Sequence, residues 1–126
     1  MIIDRQVQNN VFLLGYCENV FPLIKNSSAV ISTSLWEDPG AVMIESAYCN
    51  KLVISSNCPN GPEEFLEHGK GGYLFKNDDP NDLENKINHF LNESENNKFE
   101  KAFISKKNSK KYSLFRHYQK LNKILV

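Results

Sequence analysis

An α/β fold, with a parallel sheet flanked by helices and a helical C-terminus, is predicted for this chain by three observations. Short apolar or β-branched runs recur at Val11–Leu14, Ala29–Thr33, Leu52–Ser55 and Gly72–Phe75. Between them lie stretches whose apolar residues repeat at helical spacing, such as Val20, Leu23 and Ile24. Turn-forming residues, among them Gly15, Asn50 and Gly69, stand where one kind of pattern gives way to the next. The 126 residues are enough for one packed core and too few for two.

Each element has a local reason. Val11-Phe12-Leu13-Leu14 is a continuous apolar run ended by Gly15, the mark of a buried strand. A short amphipathic helix follows, then a second strand over Ala29–Thr33. A helix is expected from about Ala41 to Cys49, and a third strand at Leu52–Ser55. Pro62 suits the first turn of a helix through Phe65 and Leu66, with Gly69 as its stop. Gly72–Phe75 forms a fourth strand. Asp79 is placed to cap a helix that has Pro80 in its first turn and Leu83, Ile87, Phe90 and Leu91 on one face. The polar segment 92–111 is expected to be helical around Phe99, Phe103 and Ile104. Ser113 can cap a last helix with a stripe of Leu114, Tyr118, Leu121 and Leu125.

Composition narrows the function. With 40% hydrophobic and 24% charged residues, the chain is of ordinary globular type. No apolar run approaches the roughly 18 residues needed to cross a bilayer, and Met1-Ile2-Ile3-Asp4-Arg5 lacks the character of a secretory leader. A cytoplasmic location is the expectation. Cys17, Cys49 and Cys58 form neither an even set nor a CxxC pair, so free thiols are expected. The zero net charge conceals an asymmetry: residues 1–97 carry 6 Lys/Arg against 14 Asp/Glu, and residues 98–126 carry 9 against 1. Such a basic tail could meet an anionic membrane face peripherally or complement the acidic body. Nucleic acid is not the expected partner, because no stacking platform of aromatics is interleaved with the lysines.

The informative stretch is Leu35-Trp36-Glu37-Asp38-Pro39-Gly40-Ala41-Val42-Met43-Ile44-Glu45. It leaves a strand and enters a helix, and ligands of open α/β sheets bind at such strand ends. Backbone N–H groups near Gly40, Ala41 and Val42, aided by the helix dipole, form an anion site suited to a diphosphate. Gly40 allows close backbone approach because it has no Cβ. Carboxylates accept two hydrogen bonds from a vicinal diol, so Glu37 and Glu45 could clasp two parts of one extended sugar-containing ligand.

These residues resemble the E-x7-E motif of retaining GT-B glycosyltransferases, family 4 above all. The resemblance covers roughly residues 10–125, strongest over 10–93, and takes in several motifs in order. Val11–Tyr16 is similar to the family's strand followed by glycine; Cys58–Leu66, with Gly61-Pro62-Glu63-Glu64-Phe65-Leu66, is similar to its Gly-Pro-x-Glu-Ile-Leu. Gly69–Phe75 and Asp79-Pro80 match its later elements. The resemblance implies a Rossmann-like sheet that is part of a GT-B C-terminal domain. It also implies the transfer of a hexose or N-acetylhexosamine from a nucleotide diphosphate sugar, in most cases a UDP-sugar, to a glycan or lipid-linked acceptor. By the same resemblance Glu37 contacts the donor sugar, as catalytic residue, and Glu45 holds the ribose. Gly40, Ala41 and Val42 bind the diphosphate, Gly15 and Tyr16 lie near the base, and Asp38 bears on the choice of sugar. The chemistry it implies needs neither metal nor a cofactor beyond the donor.

The chain departs from the family in having Asp38-Pro39-Gly40 where Gly-Phe-Pro is common, and Asn50 where glycine is frequent. The family's diphosphate-binding Arg and Lys, and its acceptor-binding N-terminal domain, come before the matched region. Arg5 and Lys25 are poor substitutes, so a missing N-terminal domain or a separate subunit is the expected partner. Among other residues, Trp36 could wall a sugar site, although a lone Trp more often sits in a core or rim. His68, His89 and His117 have no partners at ligand spacing and are read as surface histidines.

Overall fold

The computed structural model describes residues 6–38 and 40–125. The expectations placed on Met1–Arg5 and Pro39 fall outside the described residues. In chain order the elements are α1 (Phe21–Asn26), β1 (Ala29–Ser32), α2 (Ala41–Tyr48), β2 (Leu52–Ser56) and α3 (Pro62–Phe65). They continue with β3 (Tyr73–Phe75), α4 (Pro80–Asn92), α5 (Glu95–Ser109), a 3-10 turn (Lys110–Tyr112) and α6 (Leu114–Leu125). The fold is α/β and Rossmann-like, as the sequence predicts.

The sheet is parallel in the order β1-β2-β3, with Ala29 opposite Leu52 and Ile54 opposite Tyr73. All five residues of β2 are buried. Alternation along it feeds an apolar cluster on each face of the sheet, the two layers of one domain core. Val53 packs with Met43, Ala47, Phe65 and Leu66 beneath α2 and α3. On the opposite face Leu52 and Ile54 join Tyr73, Phe75 and Phe90, with Leu83 and Ile87 of α4 packed against them. Parallel sheets are covered on both faces in this way because their crossovers carry helices. Gly72 makes the closest approach in this core. A Cβ there would lie 2.7 Å from the Val53 carbonyl oxygen, so only glycine lets the chain enter β3 at this height.

Helix ends follow local chemistry. The Asp79 side chain accepts from the N–H groups of Asn81 and Asp82, and Pro80 occupies the first turn of α4. Ser94 caps α5 and Ser113 caps α6, each accepting an N–H three residues on. Asn50 takes the left-handed conformation at φ 57°, which lets the chain leave α2 and enter β2. Asn108, buried on α5, donates to the Phe65 carbonyl and ties the C-terminal helix pair to α3.

One predicted element is absent. Val11–Leu14 is not a strand but irregular coil, with Phe12 and Leu13 exposed at 73% and 84%. An apolar run becomes a buried strand only where a neighbouring strand satisfies its N–H and C=O groups. Among the described residues β1 pairs with β2 alone, so no strand reaches this segment. The sheet therefore has three strands here rather than four.

Candidate functional site

The loop after β1 is held at the C-terminal end of the sheet by three separate anchors. Ser56, the last residue of β2, donates its hydroxyl to the Ser34 carbonyl at 2.5 Å. Asn77, just beyond β3, donates its side-chain amide to the Leu35 carbonyl at 3.3 Å. The Glu37 N–H donates to the Pro59 carbonyl in the loop after β2, also at 3.3 Å. The ends of all three strands thus converge on residues 34–37.

Glu37 then meets the start of α2. Its Oε1 accepts from the buried Ser32 hydroxyl at 3.4 Å, and Ser32 lies 3.3 Å from the Ser34 hydroxyl. Gly40 caps α2 with a left-handed backbone at φ 86°, a conformation that penalises any side chain. A Cβ at this position would lie 3.5 Å from Glu37 Oε2 and would collide with the Met43 methyl. Gly40 is buried, so carboxylate and helix start share one corner. The first bond inside the turn runs from the Met43 N–H to the Gly40 carbonyl at 3.1 Å. The N–H groups of Ala41 and Val42 precede it and have no hydrogen-bond partner among the described residues, with the helix dipole behind them.

Glu45 is half-buried and lies one turn along α2 from exposed Ala41, about 6 Å up the axis. Met43, Ser46 and Ala47 point the other way, into the core. An elongated ligand could therefore touch Glu37, the Ala41–Val42 N–H groups and Glu45 in sequence. From Ser32 to Asn50 the chain carries Glu37, Asp38 and Glu45 but no Lys or Arg, so any cation facing a bound diphosphate comes from elsewhere.

Of the predicted residues, Glu37 and Gly40 come together, Ala41, Val42 and Glu45 follow on α2, and Asp38 is exposed next to Glu37 in the chain. Gly15 and Tyr16 do not join them through any hydrogen bond among the described residues. Gly15 has open space around it, and Tyr16 is 93% exposed. Trp36 is exposed at the rim. His68 is a surface residue next to Glu63. An open groove of about 950 Å³ lies elsewhere, lined by Ser28, Lys51, Leu52, Phe90, Phe99 and Phe103, and contains none of the site residues. The anchors Ser56 and Asn77 escaped the sequence reading. Their only signal is position, each one at or just beyond the end of a strand.

The fold and this corner define the class: a parallel α/β sheet presenting a helix N-terminus and two carboxylates at its carboxyl edge. The family model for Glycosyl transferases group 1 matches residues 1–111, and the chain belongs to that family. It is 36% identical over 92 residues, 73% of this chain, to the poly(ribitol-phosphate) alpha-N-acetylglucosaminyltransferase of Staphylococcus aureus. A crystal structure of S. aureus TarM in complex with Fondaparinux, alpha-GlcNAc-glycerol and UDP superposes with a TM-score of 0.82 at 32% identity, over 96% of this chain. Anabaena HepE in complex with UDP superposes with a TM-score of 0.87 over 98% of the chain; at 24% identity this speaks for the fold. The chain spans 19% of the length of the first of these and 25% and 34% of the two crystallised chains.

Proposed function

We propose that this chain is the donor-binding part of a retaining family 4 glycosyltransferase that transfers a hexose or N-acetylhexosamine from a UDP-sugar to a glycan or lipid-linked acceptor. The observation that carries the reading is the corner at Gly40, where the Glu37 carboxylate lies 3.5 Å from the place a Cβ would take at the N-cap of α2. As the bond between the sugar carbon and the diphosphate breaks, negative charge gathers on the departing phosphate. Fixed N–H dipoles at a helix start favour that charge without a metal ion. Glu37 holds sugar hydroxyls and Glu45 the ribose diol, while Asp38 bears on the choice of sugar. Gly15 and Tyr16 serve the base once their segment is packed.

The remaining wall comes from across the free edge of β1. A parallel sheet left open there exposes unpaired backbone groups, and a doubly wound sheet binds its ligand where the strand order reverses. An N-terminal domain, or a separate subunit, supplies the strand beside β1, the acceptor surface and the cations that face the diphosphate. The open edge also carries a second reading, a nucleotide-sugar-binding subunit with no activity of its own.

Calorimetric titration of the chain with UDP, UDP-N-acetylglucosamine and GDP-mannose tests the proposal. Saturable UDP binding is expected, weakened by about 1–3 kcal/mol in Glu45→Ala, the range for a hydrogen bond to a charged group. A folded chain that binds none of the three would exclude an autonomous donor module, and a remnant would be left as the reading.

A further inference from the structure

Glu37 is held by its carboxylate as well as by its loop. One oxygen, Oε1, accepts from the hydroxyl of Ser32, which is only 6% exposed. That hydroxyl has a single proton, and once it is given to the carboxylate the Ser32 oxygen can accept from Ser34, 3.3 Å away. The other carboxylate oxygen, Oε2, lies 3.5 Å from the place a Cβ would take at Gly40. The two oxygens thus have different surroundings: Oε1 is engaged inside the protein, and Oε2 faces the N-cap of α2.

The backbone leading to this carboxylate is fixed from a turn outside the β1–α2 unit. Asn77 stands between β3 and α4 and donates its side-chain amide to the Leu35 carbonyl. Its own Oδ1 is buried without a partner among the described residues, so the contact to Leu35 is the hydrogen bond this amide makes there. The turn is itself braced. The Lys76 N–H donates to the Asp82 carboxylate at 2.8 Å, and the Asp79 N–H to the Lys76 carbonyl at 3.1 Å. Only Trp36 separates the pinned Leu35 carbonyl from the Glu37 N–H, which is pinned to Pro59. Little freedom remains for the chain to swing as it enters Glu37. A recognition group has to sit within about 0.5 Å of its productive place, and its supporting bonds decide whether it does.

We propose that Ser32 and Asn77 are positioning residues for donor-sugar recognition. Ser32 turns the Glu37 carboxylate so that Oε2 meets the sugar, and Asn77 holds the backbone that carries it. Resting on the donor-binding reading above, in which Glu37 takes the sugar and Glu45 the ribose, this assignment confines their effect to the sugar.

Calorimetric titration of the whole chain with UDP, UDP-N-acetylglucosamine and UDP-glucose tests it, read as the ratio of UDP-sugar to UDP affinity. Asn77→Asp keeps the side chain's shape but replaces its N–H donor with an acceptor, and Ser32→Ala removes the hydroxyl. Each is expected to leave UDP affinity unchanged and to weaken UDP-sugar binding about two- to tenfold, the range of one lost hydrogen bond. In a Glu37→Ala background Asn77→Asp should change the ratio no further, because it acts through that carboxylate. Melting curves report folding, and Asn77 stands on a turn outside the sheet, so its variant carries the test even where Ser32→Ala fails to fold. An unchanged ratio, an equal loss of UDP and UDP-sugar, or an Asn77→Asp effect that survives Glu37→Ala would overturn the assignment and leave the donor-binding reading standing. A parent chain that binds UDP but neither UDP-sugar would do the same. A folded parent chain that binds none of the three removes both.

Discussion

β2 and β1 lie side by side in one ladder, yet they live in different environments. β2 is buried at every position, with Val53 and Ile54 at 0% and 1% exposure, whereas Ile31 of β1 is 46% exposed. Ile31 stands opposite Ile54 in register and points to the same face. The difference is in the cover, since α4 shields β2 and β3 but leaves the β1 end of that face open. The comparison teaches that the helices cover the two halves of the sheet unequally. One half is closed and self-sufficient. The loop carrying Glu37 hangs from the other half, after β1 at the end of the described sheet.

That contrast can be broken by substitution. The largest effect is expected at Phe65, which is 1% exposed between α2, β2 and the ring of Tyr112. Phe65→Ala should cost about 3–5 kcal/mol in urea unfolding, a large share of the stability of a domain this size. A loss well below that range would mean that the closed half is not the source of stability.

A smaller effect is expected at Tyr73, whose hydroxyl donates to Glu93 from within the second apolar cluster. Burial, and then the Glu93 carboxylate, raise its pKa well above the usual tyrosine value of 10.0. The folded state therefore favours the protonated phenol. Its contribution is complete below about pH 10 and is lost as pH rises beyond that point. Tyr73→Phe should cost about 1–3 kcal/mol at neutral pH. The gap should narrow above about pH 10, where the parent chain alone gains the ionisation of Tyr73 on unfolding, while Tyr112, also raised by burial, acts equally in both. Parallel alkaline melts would disprove this by keeping the same gap throughout.

The smallest effect belongs to Ile31. Because nearly half of it is already in water, Ile31→Ala should cost only about 1 kcal/mol in the isolated chain. A cost close to that of Phe65→Ala would show that the β1 end is closed after all. In a chain completed across that edge, the same substitution should cost several times more, about 2–4 kcal/mol, because burial and packing then act in full.

Most of the fold was legible because it rests on local chemistry. Asp79 and Pro80 start α4, Pro62 starts α3, Asn50 turns the chain out of α2, and the runs at Ala29, Leu52 and Tyr73 become the strands. The core of the candidate site was legible for the same reason, since Gly40 and the two glutamates sit on a strand-loop-helix unit contiguous in the chain. Ser56 and Asn77 were not. They reach the loop from 22 and 42 residues away, and nothing in a local pattern announces such a contact.

The sequence by itself determined where helices begin and end and which side chains share a face, because these depend on neighbours within a few residues. Only the tertiary structure decided that Val11–Leu14 is not a strand and that β1 is an edge. It likewise decided that Ser56, Asn77 and the Pro59 carbonyl pin the Glu37 loop. A strand exists only where another strand meets its hydrogen-bonding groups, and a loop is fixed only where distant atoms reach it. Both are properties of what arrives in space rather than of what stands next in the chain.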